Sequence, residues 1–457
     1  YATQFKNLPI GQMEEKFADY GEVQIKQLND RSKMYYTPNK ENNVFQLVVQ
    51  YGAGEREFPK LGYAAQLMNN AGIMGAYEPQ ELKEELSKLN ATCHVTADDD
   101  NLYIIMEGYE ATLPQACQLL SRQILMPKLD EKQLARLKGS AMGMRQQRKD
   151  NVSILNEALR QYMLYGEKSD YIKELTDKEI YELQISELTG DINRASNYEA
   201  KVFFTGTLPF DQVYDILSKN LPLVANERPS NSPQAKDMMP VTENTVYFLP
   251  NNDAEQAQIH LYIPMQKADK KDDVLRSAFN QYFGLDFTGI VLNEIREKRS
   301  MAYTAYAFVG TQGIAGKASY LRGYIGTQND KANDALDVLM GLVNDMPKNP
   351  ERIDNIKSYL RQAMLTSHPS FRNKAMELVD LGYRGYTDDP AKENLPKVDA
   401  LTFDDIVKFY EENIKDKPYC ISIMGNPKNI DLKRLEKFGK VVKLNERKLF
   451  NTKDALF

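Results

Sequence analysis

The segment Leu292-Asn293-Glu294-Ile295-Arg296-Glu297-Lys298-Arg299-Ser300-Met301-Ala302-Tyr303 holds the residues best suited to chemistry. Leu292, Ile295 and Arg299 fall on neighbouring faces of an expected helix, with Thr288 placed to cap it. The chain then turns through Ser300 and enters an aromatic strand, Tyr303 to Val309. A guanidinium and a phenol held at such a junction could bind peptide carbonyls or stabilise an oxyanion. The same residues also read as a solvated basic helix end, which the helix dipole favours. Composition alone leaves both readings open.

Other chemistry falls away motif by motif. His94, His260 and His368 are the three histidines, and none lies four residues from another. No helix can therefore offer a His pair to zinc, and both H-E-x-x-H and H-x-x-E-H are absent. His94 and His260 sit in expected strands and read as structural; His368, beside Pro369, reads as a turn residue. Cys93, Cys117 and Cys420 build neither a disulfide framework nor a C-x-x-C pair, and read as small buried hydrophobes. Asp98-Asp99-Asp100 lacks the spacing and distal Glu of a calcium loop and reads as a solvated hairpin tip. The Gly310 to Ala318 stretch fails the phosphate-loop pattern, with Thr311 at the first Gly and Ala318 at the Ser/Thr position. There is no G-x-S-x-G elbow.

The elements that must position Arg296 and Tyr303 come from the wider pattern. Of 457 residues, 42% are hydrophobic and 27% charged, enough for real cores. The formal net charge of -6 argues against nucleic acid as a partner. No apolar run approaches the roughly 18 residues of a membrane span. Residue 1 is Tyr, without an initiator Met or a signal segment, so a removed leader or a longer parent chain is expected.

A polar, Pro-flanked stretch from about Leu221 to Glu243 divides the chain nearly in half. Three landmarks recur in order on either side. An aromatic strand enters a Pro-Asn turn at Tyr35 to Asn39 and again at Tyr247 to Asn251. A Thr-capped helix start with an acidic residue three positions on appears at Thr176-Glu179 and Thr402-Asp405. A strand ending in Gly closes each half, at Val202 to Gly206 and Ile421 to Gly425. Between them lie amphipathic helices and hairpins, such as Thr92 to Met106 about the Asp98 turn. The expected fold class is α+β: two homologous domains, each a mainly antiparallel sheet with helices packed on one face. The expected boundaries are 1–225, a linker at 226–243, and 244–457.

R-E-K-R-x-x-A-Y after a helix, in the second of two repeated domains, resembles the insulinase/pitrilysin zinc peptidases, relatives of mitochondrial processing peptidase. In the first half, Gly62-Tyr63-Ala64-Ala65-Gln66-Leu67-Met68-Asn69 resembles the family's G-x-A-H-x-x-E-H helix. Ala65 and Asn69 stand where its two histidines would be, and Met68 where its catalytic Glu would be. The third ligand, a Glu, is expected around Gly143 to Gln147, a stretch without a carboxylate. Such residues cannot hold catalytic zinc, so the chain alone is expected to be inactive and to carry no cofactor.

Arg296 and Tyr303 match the spacing of the family's Arg-Tyr pair, which contacts the substrate backbone from the domain facing the zinc site. Ser300 stands where Gly is usual. The resemblance implies the metal-free, C-terminal half of such a peptidase, enclosing a peptide. Arg296 and Tyr303 would be donated to a zinc-bearing half, on the same polypeptide or a separate subunit. The alternative is a non-catalytic structural or peptide-binding subunit that keeps the fold only, like the family's relatives in the respiratory complex. Abundant Lys, Asn and Tyr with no Trp points to a bacterial source, and the resemblance to a cell-envelope or periplasmic setting.

Overall fold

The computed structural model describes residues 14–148, 151–225, 227–284 and 288–453. Among them the first half contributes β1 (Gln24–Gln27), β2 (Lys33–Pro38), β3 (Val44–Tyr51), β4 (Gly72–Ile73), β5 (Ala91–Ala97), β6 (Leu102–Tyr109), β7 (Pro127–Lys128) and β8 (Ala200–Gly206). The second half contributes β9 (Thr245–Pro250), β10 (Gln256–Lys267), β11 (Ala302–Thr311), β12 (Ala318–Gln328), β13 (Cys420–Gly425) and β14 (Lys440–Lys443). Five helices matter below: α1 (Leu61–Met68), α2 (Glu131–Gln147), α3 (Val152–Tyr165), α4 (Asp273–Phe283) and α5 (Lys374–Tyr383).

Two six-stranded sheets form, ordered β1-β2-β8-β3-β6-β5 and β11-β12-β10-β13-β9-β14, with β4 and β7 paired separately. Read from opposite ends, the two orders superpose: β2 on β9, β8 on β13, β3 on β10, β6 on β12 and β5 on β11. The aromatic strands and the Gly-ending strands found in sequence are therefore parallel neighbours in each sheet. Most other pairings are antiparallel. Both expected capping boxes form, Thr176 with Glu179 and Thr402 with Asp405.

Alternation along β6 and β12 drives one face of each sheet into a helix-covered core. Leu47, Ile104, Met106 and Phe204 belong to the first core, and Ile259, Leu261, Leu321 and Ile325 to the second. The opposite faces are covered by exchange. From the first half, α3 crosses over to pack Leu155 and Leu159 against Leu249 and Met424 of the second sheet. From the second half, α5 returns Ala375 and Val379 to Val48 and Phe203 of the first.

The polar seam is a strap rather than a loose tether. Buried Glu227 accepts from the Ser32 N–H at 3.0 Å and from Asn29 Nδ2 at 2.8 Å. Farther on, the Met239 N–H donates to the Leu164 carbonyl at 2.7 Å. Asn226, the first residue of the expected linker, lies outside the described residues, as does Tyr1.

Candidate functional site

The Arg-Tyr segment is built from an irregular helix feeding an edge strand. After Gly289, which holds the cap position in place of the expected Thr288, a short helix runs over Ile290–Leu292. It widens to a π turn at Asn293–Glu297, where the Lys298 N–H donates five residues back to the Asn293 carbonyl at 2.9 Å. Ile290, Val291, Leu292 and Ile295 are buried, which fixes the helix roll and turns Arg296 outward. Ser300 then adopts φ 48°, the left-handed conformation, which accounts for Gly being usual at this position in the family the segment resembles. The turn is tied down on the far side. Lys331 Nζ donates to the Ser300 carbonyl at 3.1 Å, and the Thr327 hydroxyl donates to the Met301 carbonyl.

Tyr303 sits on a β-bulge. Ala302 pairs with Thr327 and Thr304 with Gly326, so Tyr303 is the extra residue with no partner across the ladder. Its side chain is 78% exposed. The Arg296 guanidinium lies 5.9 Å from the centre of its ring and 3.5 Å from the Glu297 carboxylate. The two residues singled out in sequence are thus brought together, facing solvent at the edge of the second sheet. Behind them Lys298 and Arg299 both engage Glu294 and hold its carboxyl below the usual range.

The helix whose sequence resembles the zinc motif is built into the first core. Ala65 and Met68 lie buried there and bring no imidazole, carboxylate or thiolate. Asn69, at the end of α1, is engaged through both polar atoms. Its Oδ1 accepts from the Val95 N–H at 2.7 Å, and its Nδ2 donates to the Val95 carbonyl at 2.9 Å. On α2, within the span expected for a third ligand, Arg145 instead pairs with Asp177 at 2.7 Å and Glu174 at 3.4 Å. These residues do not fit a zinc ion. Among the described residues no group of three or more His, Cys, Asp or Glu side chains is placed to hold a metal.

Two residues escaped the sequence reading. Asn280 on α4 repeats the Asn69 clamp in the second half: Oδ1 accepts from the Val309 N–H at 2.6 Å, and Nδ2 donates to its carbonyl at 3.0 Å. A lone helical Asn gives no sequence signal for this. The other is Glu55, whose carboxylate presses against Gly62 of α1, where an added Cβ would meet Oε1 at 2.2 Å. It borders a cavity of about 690 Å³ shared with Arg56, Asp99, Asp170, Tyr171 and Lys236. Burial, and then Asp99, Asp98 and Asp170, push the Glu55 carboxyl up to about 7.

That shift has a definite sign. The folded state binds the Glu55 proton more tightly than the unfolded chain, so the folded state loses stability as pH rises from about 4.5 to about 7. Glu55→Gln is expected to stabilise the protein by about 1–2 kcal/mol at alkaline pH, after allowance for partial exposure. Below the unfolded pKa the variant should match the parent. Urea unfolding at the two pH extremes reads the difference; an equal effect at both would rule out the ionisation as its cause.

Residues 196–360 match the family model for the peptidase M16 inactive domain. Over that stretch, rather more than a third of the chain, the sequence is similar to the inactive domain of the M16 peptidases. The match includes Arg296 and Tyr303, in the segment whose sequence resembles the insulinase-like peptidases. A search of curated proteins found no match.

Solved structures carry the same fold as this chain. A peptidase M16 inactive domain from Pseudomonas fluorescens is 17% identical with a TM-score of 0.69, over 90% of this chain and 99% of that one. The ferredoxin protease FusC, solved as a point mutant in complex with Arabidopsis ferredoxin, is 13% identical with a TM-score of 0.70, over 91% of this chain and 46% of that one. The periplasmic protease PqqL from Escherichia coli is 12% identical with a TM-score of 0.66, over 93% and 50%. The chain therefore spans about half the length of FusC and of PqqL, and nearly all of the Pseudomonas domain.

Proposed function

We propose that this chain is the metal-free half of an insulinase-like zinc peptidase, enclosing a peptide and supplying Arg296 and Tyr303 to a zinc site built by a partner half. The observation that carries this reading is the pairing of an exposed phenol, on a bulge, with a guanidinium 5.9 Å from its ring that the preceding π turn presents. The lengths of FusC and PqqL support it, since each leaves room for a second half beside one like this chain. In this role the Tyr303 hydroxyl donates to the scissile carbonyl oxygen as negative charge gathers there, and Arg296 holds the peptide backbone by its carbonyls.

The test is hydrolysis of a mixed quenched-peptide library by this chain alone, then with its zinc-bearing partner half. Activity confined to the mixture is the expected result. Silence in a complex shown to form would favour the alternative, a subunit that keeps the fold without the reaction. Zinc-dependent hydrolysis by this chain alone would overturn the account of Ala65, Met68 and Asn69.

A further inference from the structure

Helix α3 covers only part of the second sheet's outer face, lying over β10 and β13. The β11–β12 side is left half-buried and aromatic. Tyr306 lies 5.3 Å from Tyr324 and 6.0 Å from Phe308, ring centre to ring centre. In the middle stands Arg322, paired across the strands with Phe308 on one side and Tyr262 on the other. Its guanidinium has no hydrogen bond or ion pair to any described residue, and its Nε is fully buried. The nearby carboxylate of Glu157 is already engaged by Arg160, Nε to Oε2 at 2.6 Å. A half-buried arginine without a partner is costly and is normally satisfied by a carboxylate or phosphate.

The strip also continues into the Arg-Tyr site. Tyr306 follows Tyr303 by three residues on β11, about 10 Å of extended chain. Local cations reinforce the preference for an anion. Lys298 and Arg299 share a single carboxylate, and Lys331 is held by a carbonyl. The sheet-one counterpart is closed, because α5 covers Tyr35, Tyr103 and Ile105.

We propose that this strip binds an extended acidic peptide, with a carboxylate on Arg322 and a large apolar side chain against Tyr306 and Phe308. Treating the anion as part of a peptide rests on the function proposed above. The chemistry is that of a carboxylate, which a side chain or a free C-terminus can supply.

Fluorescence anisotropy on the isolated chain tests this without any partner half. The probe is a labelled, C-terminally amidated peptide of about ten residues with Glu two positions from Phe. It is compared with its Glu→Gln form, and with the Gln form carrying a free C-terminus. Arg322→Gln is expected to weaken binding of the Glu peptide about tenfold to a hundredfold, with partial recovery in Arg322→Lys. Binding confined to the free C-terminus would keep the site and assign the anion to the terminal carboxylate. Equal affinity for Glu and Gln amides together with indifference to the free terminus, no binding at all, or indifference to Arg322→Gln would overturn the proposal. Carboxylate-dependent binding with no hydrolysis in the assembled complex would instead count against the half-peptidase reading alone.

Discussion

Tyr303→Phe is expected to lower the turnover of the assembled enzyme by about a hundredfold to a thousandfold without shifting its unfolding midpoint. The hydroxyl belongs to a side chain that is 78% exposed and donates to no described residue. Removing it therefore breaks no internal bond and leaves the bulge intact. A donor used only when charge develops on the carbonyl oxygen lowers kcat and kcat/KM together. Arg296→Ala should divide differently. Its guanidinium can hold a peptide carbonyl before the reaction begins, so the larger part of its loss is expected in KM. Steady-state kinetics on the complex, beside urea unfolding of each variant, separates the two. Unchanged turnover in Tyr303→Phe, with the complex intact, would make the pair a relic and leave the fold-only subunit standing.

The two residues of that pair were legible because their types and spacing are local, as were the landmarks of the repeat. The strands at Tyr35 and Tyr247 carry their own turn signals, and the Thr176 and Thr402 boxes close within a single turn. The bulge under Tyr303 was not legible, since it is a property of register with β12, whose partner residues lie more than twenty positions on. The expected Thr288 cap failed for a similar reason. Gly289 takes the cap position while the Thr288 hydroxyl accepts from Gln281 Nε2 at 3.3 Å. The exchange of α3 and α5 between halves left no trace in periodicity, because an amphipathic helix does not say which sheet it will cover.

The histidines divide the same way. His260 is structural as expected, with Nε2 3.1 Å from Asn156 Oδ1, and burial with Arg322 and Arg160 nearby pushes it down to about 3. His94 lies exposed on β5. Arg322 and Glu55 could not be picked out at all. What marks each is a side chain with no hydrogen bond or ion pair among the described residues, and a sequence does not display absences.

Asn69→Ala and Asn280→Ala are each expected to cost about 2–4 kcal/mol of stability. Each side chain serves one valine on the edge strand of its sheet, Val95 on β5 and Val309 on β11, strands that occupy equivalent places in the repeat. Val95 is 2% exposed and Val309 4%, so truncation strands a buried N–H and a buried C=O together. The isosteric Asn→Asp change should be no milder, because a carboxylate accepts from the N–H but meets the valine carbonyl without a donor. Asn69→His, which restores the residue of the zinc peptidases, should also be costly. An imidazole sets its donor and acceptor on diverging ring edges and cannot lie along one peptide unit as a carboxamide does. The two clamps lie in separate sheets with no shared partner, so their losses should add to within about 0.5 kcal/mol in the double variant. Urea unfolding measures all of these; single losses near zero would mean that water satisfies the valines as well as Asn does. If the losses are as large as expected, Asn69 serves the first sheet as the same edge clamp that Asn280 is for the second. Rebuilding a zinc site here would then begin by destabilising the sheet that has to support it.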